Sequence, residues 1–128
     1  MENVFASFEL CEIQKVVDKK KFLNGRLNQA ARRDNPQPIK INIDYLIRLG
    51  KKQKWKCALS GVDLEFVSGK GKKNPYICTI DRIDSDKGYV KKNIQLLTWI
   101  ANYAKGAFTV TEFKKLCEDV FLKEKGLK

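Results

Sequence analysis

The 128-residue sequence predicts a small α+β protein, a single domain in which a hairpin and a helix form a central unit surrounded by other helices. Two short apolar runs, 77–80 and 94–97, flank a polar segment with Gly88 as its turn residue, which is the pattern of a two-stranded hairpin. Thr98 then opens a segment of helical pattern. Three regions are expected, namely a basic helical region at 9–56, the central unit at 57–106 and a C-terminal helix at 107–128.

Apolar residues at helical spacing predict a long first helix over 9–33, which the prolines of 34–38 end. Its polar face carries Lys19 and Lys20 among several basic residues. Two interpretations of this face stay open, a solvated surface or a surface that follows nucleic-acid phosphates. Asn42 or Asp44 is expected to cap a second helix that runs to about residue 50.

The remaining segments carry local signals of their own. Alternating apolar residues predict a strand at 62–67, and the segment 68–75 predicts a basic surface loop. The order Thr-Val-Thr-Glu at 109–112 indicates a capping box at the start of a last helix. Cys11 and Cys117 lie in apolar helical patterns, so both are expected in the core.

Charge and composition restrict the partners and the chemistry. A formal net charge of +11 favours a polyanionic partner. No apolar run reaches the roughly 20 residues that span a bilayer. The first residues lack the pattern of a secretion signal, so we expect a cytoplasmic protein with reduced thiols, in a bacterial or phage-infected cell. The chain contains no histidine, which removes the commonest general base.

The segments CALSG and TIDRIDSDKGYVKKNIQLLTWIANYAKG resemble the HNH, or ββα-metal, nucleases. They are most similar to a branch found in phage proteins and restriction enzymes that carries Asp-Arg-x-Asp where the usual motif has Asp-His. The resemblance covers about residues 39–108, and the D-R-x-D, G-Y, N and N-x-x-K elements occur in the family's order. It implies a ββα-metal fold and a divalent metal, Mg²⁺ or Mn²⁺.

The resemblance also implies roles for individual residues. Asp81 and Asn102 match the metal ligands, and Asn93 matches the residue that ties down the loop between the strands. Arg82 occupies the general-base position, where it acts as the base, orients the attacking water or holds the phosphate; all three remain open. Lys105 matches a recurrent position and is a candidate helper in catalysis.

Many relatives also bind a structural zinc through two CxxC pairs. Here the corresponding positions are Cys57-x-x-Ser60 and Thr98-x-x-Ala101, so three of the four ligands are missing and no structural zinc is expected. Packing of apolar residues is expected to replace the zinc at this position.

The sequence therefore predicts a metal-dependent endonuclease that hydrolyses DNA phosphodiester bonds. The alternative is a catalytically inactive nucleic-acid-binding protein on the same scaffold. RNA as the substrate and a homodimeric assembly both stay open. The expected nucleic-acid contacts are the lysines Lys19, Lys20, Lys70, Lys72, Lys73, Lys87, Lys91 and Lys92.

Overall fold

The computed structural model describes residues 4–33, 37–67 and 71–127, with side chains from residue 10 onward. The predicted α+β class is confirmed over these ranges, where four helices accompany a two-stranded sheet. In chain order the elements are α1 (Val4–Ala31), α2 (Ile43–Lys52), β1 (Cys78–Arg82), β2 (Ile94–Thr98), α3 (Trp99–Lys105) and α4 (Val110–Glu124).

Strands β1 and β2 form an antiparallel hairpin that leads directly into α3. Cys78 lies opposite Thr98, and Arg82 lies opposite Ile94. Thr98 ends β2 and caps α3, since its hydroxyl accepts a hydrogen bond from the backbone N–H of Ala101. Because a strand followed at once by a helix leaves little freedom between them, α3 is held against the hairpin. The predicted order of hairpin and helix is confirmed.

Helices α1 and α2 pack against each other, and both contribute side chains to the core. Leu23 of α1 and Leu46 of α2 are both fully buried. Asn42 is the cap of α2, and its side chain accepts a hydrogen bond from Tyr45 N. Just after α2, the Gln53 side chain donates to the Leu96 carbonyl at 3.0 Å and accepts from the Leu96 N–H at 3.1 Å. This amide therefore pairs with the backbone of β2 and ties α2 to the sheet.

The strand predicted at 62–67 is wrong. This segment forms two isolated bridges, Lys56 with Asp63 and Glu65 with Ile77. Phe66 packs edge-on against Phe22, with a ring-centroid distance of 5.5 Å. Phe66 thus packs against α1, and no continuous ladder forms because each neighbour pairs with the segment at a single position.

The prediction that Cys11 and Cys117 lie in the core is also wrong, because both are exposed. Helix α4 does begin with the predicted capping box of Thr109 and Glu112, but it buries none of its described residues. The predicted helix is confirmed, but most residues of its apolar face are exposed. Phe113 and Cys117 of this face line a cavity together with Ile100 and Ala104 of α3. In the described ranges no helix combines the length and apolar character needed to cross a bilayer.

Candidate active site

The end of β1 and one face of α3 border a cleft of about 450 Å³. We call it the Asp81 cleft, and its polar lining includes Asp81, Arg82, Asn102, Tyr103 and Arg33. Two of the predicted site residues come from β1 and one from α3, so the hairpin–helix connection brings them together. Arg33 comes from the other end of the sequence, just after α1.

Asp81 is held by two neighbours inside the protein. Gln95, directly opposite on β2, donates from Nε2 to Asp81 Oδ2 at 2.9 Å. Lys105 Nζ lies 3.4 Å from both carboxylate oxygens of Asp81. The side chains of Lys105 and Asp81 are only 1% and 7% exposed. Such a buried pair depends on both partners, since either charge alone would be poorly solvated. Lys105 therefore fixes the carboxylate rather than reaching into solvent.

Asn102 has an orientation fixed by its neighbour on β1. Thr79 Oγ1 donates its single hydrogen to the Leu97 carbonyl at 2.9 Å. Thr79 can then only accept from Asn102, whose Nδ2 lies 2.8 Å away. The amide oxygen of Asn102 is consequently the atom left to act as an acceptor in the Asp81 cleft.

Arg82 acts as a hydrogen-bond donor. Its Nη1 donates to the carbonyls of Ser85 at 2.7 Å and Lys87 at 3.1 Å, in the loop between the strands. The guanidinium also lies over the ring of Tyr89, at 5.5 Å from its centroid. A guanidinium carries five N–H donors, so these bonds leave others for a ligand in the cleft.

Asn93 makes three hydrogen bonds to the backbone of the same loop. Its Oδ1 accepts from Asp84 N at 2.9 Å, and its Nδ2 donates to the carbonyls of Asp84 at 3.1 Å and Gly88 at 2.9 Å. The side chain is buried and does not line the Asp81 cleft. Asn93 therefore shapes the loop that presents Arg82.

A solved structure described as the rare-cutting HNH restriction endonuclease PacI is similar to this chain over most of its length. The match has a TM-score of 0.57 and 18% sequence identity, and it covers 84% of this chain and 81% of that one. The fold is HNH-like. No protein-family model and no curated protein matches the chain. We call residues 78–105, from β1 to the end of α3, the HNH-like unit.

The donor atoms of the HNH-like unit fit a hard divalent cation that keeps most of its water. One carboxylate, from Asp81, and one amide oxygen, from Asn102, face the Asp81 cleft. Mg²⁺ commonly takes one or two protein oxygens together with water and phosphate. Within the described ranges no three His, Cys, Asp or Glu residues come close enough to form a larger metal site.

At the positions where relatives carry zinc ligands, two side chains pack against each other. The Thr98 hydroxyl donates to Cys57 Sγ at 3.8 Å, and both residues are buried. Burial also raises the pKa of the neighbouring thiol, Cys78, to about 12. Closely packed side chains thus occupy this part of the core.

Arg33 is the cleft residue that sequence reasoning did not single out. Its Nη1 donates to the hydroxyl of Tyr89 at 3.2 Å, which places the guanidinium beside the loop of the HNH-like unit. A signal was present, because Lys19, Arg26 and Arg33 recur every seven residues and so share one side of the helical path. The sequence could not say that this side faces the cleft.

The described lysines among those predicted to contact nucleic acid have different neighbours. Lys73 lies with its Nζ 5.2 Å from the Trp99 ring, beside Asn102. Lys19 instead covers the ring of Trp55, at 4.5 Å. Lys20 and Lys72 are exposed, and Lys87 Nζ lies 4.0 Å from the Asp84 carboxylate. Lys91 and Lys92 lie near Tyr45. Lys70 falls outside the described residues.

Proposed function

We propose that the protein is a metal-dependent endonuclease that hydrolyses DNA phosphodiester bonds in the Asp81 cleft. The observation that carries the proposal is the joint position of Asp81 and Asn102 at the cleft of an HNH-like fold. A net charge of +11 further supports a nucleic-acid substrate. The Asp-Arg-x-Asp branch of the HNH nucleases is the subgroup we propose.

Asp81 and Asn102 would hold Mg²⁺ or Mn²⁺, with water and a substrate phosphate completing the coordination. A bound ion of this kind supplies Lewis-acid stabilisation of the negative charge that develops on the phosphate oxygens. Gln95 and Lys105 keep the Asp81 carboxylate in place. Thr79 keeps the amide oxygen of Asn102 directed away from the β-strand.

Arg82 serves, in this proposal, as a donor that orients the attacking water or holds the phosphate. The support is that its observed bonds to Ser85 and Lys87 are both donated by the guanidinium. The proton of the water then passes to the substrate phosphate or to solvent. A base role would need a neutral guanidinium, and arginine side chains stay protonated in proteins.

A second candidate function is nucleic-acid binding without cleavage. The observation that favours it is the ion pair between Lys105 and Asp81, since a cation already lies 3.4 Å from the carboxylate that would bind the metal. Coulomb repulsion between Lys105 and a divalent ion weakens metal binding at this carboxylate. Both candidate functions use the same surface to bind nucleic acid, but only the first includes hydrolysis of the phosphodiester bond.

Nicking of supercoiled plasmid separates the two. The wild-type protein is expected to nick with Mg²⁺ or Mn²⁺ and to stop when EDTA is added, while Asn102→Ala loses activity. Asn28→Ala, an exposed asparagine on α1, is the matched control and should nick like wild type. Plasmid binding without any nicking would favour the second candidate. A parallel assay on structured RNA decides between DNA and RNA as the substrate.

A further inference from the structure

We propose that a second hollow, beside the Asp81 cleft, binds a backbone phosphate of the cleaved strand next to the one that is cut. We call it the Arg26 hollow, and Arg26 and Arg33 are its main anion-binding residues. The inference rests on the proposed function in that it takes DNA as the ligand.

The Arg26 hollow has a volume of about 250 Å³. It adjoins the Asp81 cleft, because Arg33, Ile80 and Asn102 line both. Arg26 comes from α1, Arg33 follows the end of α1, and Lys73 comes from the segment that precedes β1. A strand whose scissile phosphate lies at Asn102 would therefore place a neighbouring phosphate among these three cations.

The charges of the Arg26 hollow are not balanced by the protein. No described residue that lines the hollow is acidic. Among the described residues, none of Arg26, Arg33 and Lys73 takes part in an ion pair. Burial lowers the pKa of Arg26; the nearby Cys78 opposes this shift, and the repulsion from Arg33 adds to it more weakly. A cluster of cations without a neighbouring carboxylate favours the binding of an anion. A guanidinium can contact a phosphate through two parallel hydrogen bonds.

The aromatic residues of the hollow favour a phosphate over an inserted base. The Trp99 ring is stacked on Tyr103 with a centroid distance of 5.1 Å, and Lys73 Nζ lies over the same indole. The indole is therefore already engaged by the protein's own side chains. Tyr103 is 75% exposed and can border the sugar of the bound nucleotide. A site of this kind reads the backbone and carries no sequence preference.

Salt-dependent binding of a DNA duplex in EDTA tests the cationic role. Arg26→Gln is expected to weaken binding about tenfold, equally for two unrelated sequences. It should also reduce the slope of log K against log salt concentration by about 0.9, the value for one phosphate contact. Arg26→Lys keeps the charge and should keep the slope. Lys123→Gln, which removes an exposed cation from α4, is the matched control and should bind like wild type.

Methylphosphonate substitution then identifies the ligand. On a duplex so short that the protein binds it in one register, replacing one phosphate at a time by an uncharged methylphosphonate should weaken wild type at one position, with no further loss in Arg26→Gln. Additive losses at every position would overturn the proposal. The proposal would also be overturned if Arg26→Gln were coupled to removal of a base rather than of a phosphate charge, because the hollow would then bind a base. Both assays contain no metal, so they test phosphate binding independently of cleavage. If Arg26 is coupled to a methylphosphonate but the protein never nicks plasmid, the proposed nuclease activity is refuted and the phosphate site is not.

Discussion

The HNH-like unit and helix α4 differ in which side chains they bury. In the HNH-like unit Asp81, Asn93, Gln95 and Lys105 are all buried, and each is hydrogen-bonded within the protein. In α4 several residues of the apolar face are exposed, with Leu116 at 56% and Val120 at 60%. The HNH-like unit thus buries these four polar side chains, whereas α4 exposes apolar ones.

This difference separates two kinds of structural information. Apolar periodicity predicts that a helix forms. Burial of its apolar face also requires another element packed against that face, and the periodicity does not indicate whether such an element is present. The buried polar residues hold each other through paired hydrogen bonds, so their positions are set by specific partners. Disrupting a partner should therefore cost far more in the HNH-like unit than in α4.

The largest effect is expected for Lys105→Met. This change leaves the Asp81 carboxylate buried without a cation, which should lower the free energy of unfolding by about 3–5 kcal/mol. Urea unfolding measures the loss. The double variant Asp81→Asn with Lys105→Met removes both charges and should recover to within about 1 kcal/mol of wild type. Equal instability of single and double variants would contradict the ion-pair account.

Asn93→Ala should have the next largest effect. Its removal leaves the Asp84 N–H and the carbonyls of Asp84 and Gly88 without their partner. An unsatisfied buried group costs about 1–3 kcal/mol, and water reaches part of this loop, so a total loss of about 3 kcal/mol is expected in urea unfolding. Asn93→Asp keeps the accepted bond but sets a buried carboxylate against the carbonyls of Asp84 and Gly88, so it should lose at least as much as Asn93→Ala. A clearly smaller loss would mean that the two donated bonds do not matter.

Leu116→Ser on α4 should have almost no effect. The side chain is mostly exposed, so the free energy of unfolding is expected to change by less than about 0.5 kcal/mol. Thermal unfolding at two protein concentrations measures it. A loss of 2 kcal/mol or more, especially one that depends on concentration, would mean that another surface covers this face in solution.

The cysteines provide a comparison without mutation. Cys11 and Cys117 are exposed and should react with iodoacetamide in the native protein at pH 8. Cys78 should stay unmodified, because it is fully buried and burial raises its pKa to about 12, so almost no thiolate is present. Mass spectrometry of tryptic peptides checks the pattern. Rapid modification of Cys78 without denaturant would show that β1 opens readily.

The sequence predicted the parts of the fold whose signals are local. The hairpin, the cap at Asn42 and the capping box at Thr109 depend on residues a few positions apart, and all three agree with the structure. The burial of Cys11 and Cys117 was mispredicted, since it depends on what lies opposite each helix.

The candidate site was predictable to the same degree. The order of motif residues placed Asp81 and Asn102 at one end of the hairpin, where both line the cleft. The ion pair of Asp81 with Lys105 joins residues 24 positions apart and follows from how α3 packs on β1. Arg33 lines the cleft because of the direction in which α1 runs across the protein, and no local sequence pattern specifies that direction.

The most direct test of the central claim is cleavage by a variant that is folded but lacks the Asp81 carboxylate. The double variant Asp81→Asn with Lys105→Met meets this requirement if its unfolding free energy is close to wild type. With Mg²⁺ or Mn²⁺ it should nick plasmid at least about 100-fold more slowly than wild type, while Asp18→Asn, an exposed acid on α1, nicks normally. Nicking by the double variant at the wild-type rate would contradict a metal-dependent site at Asp81.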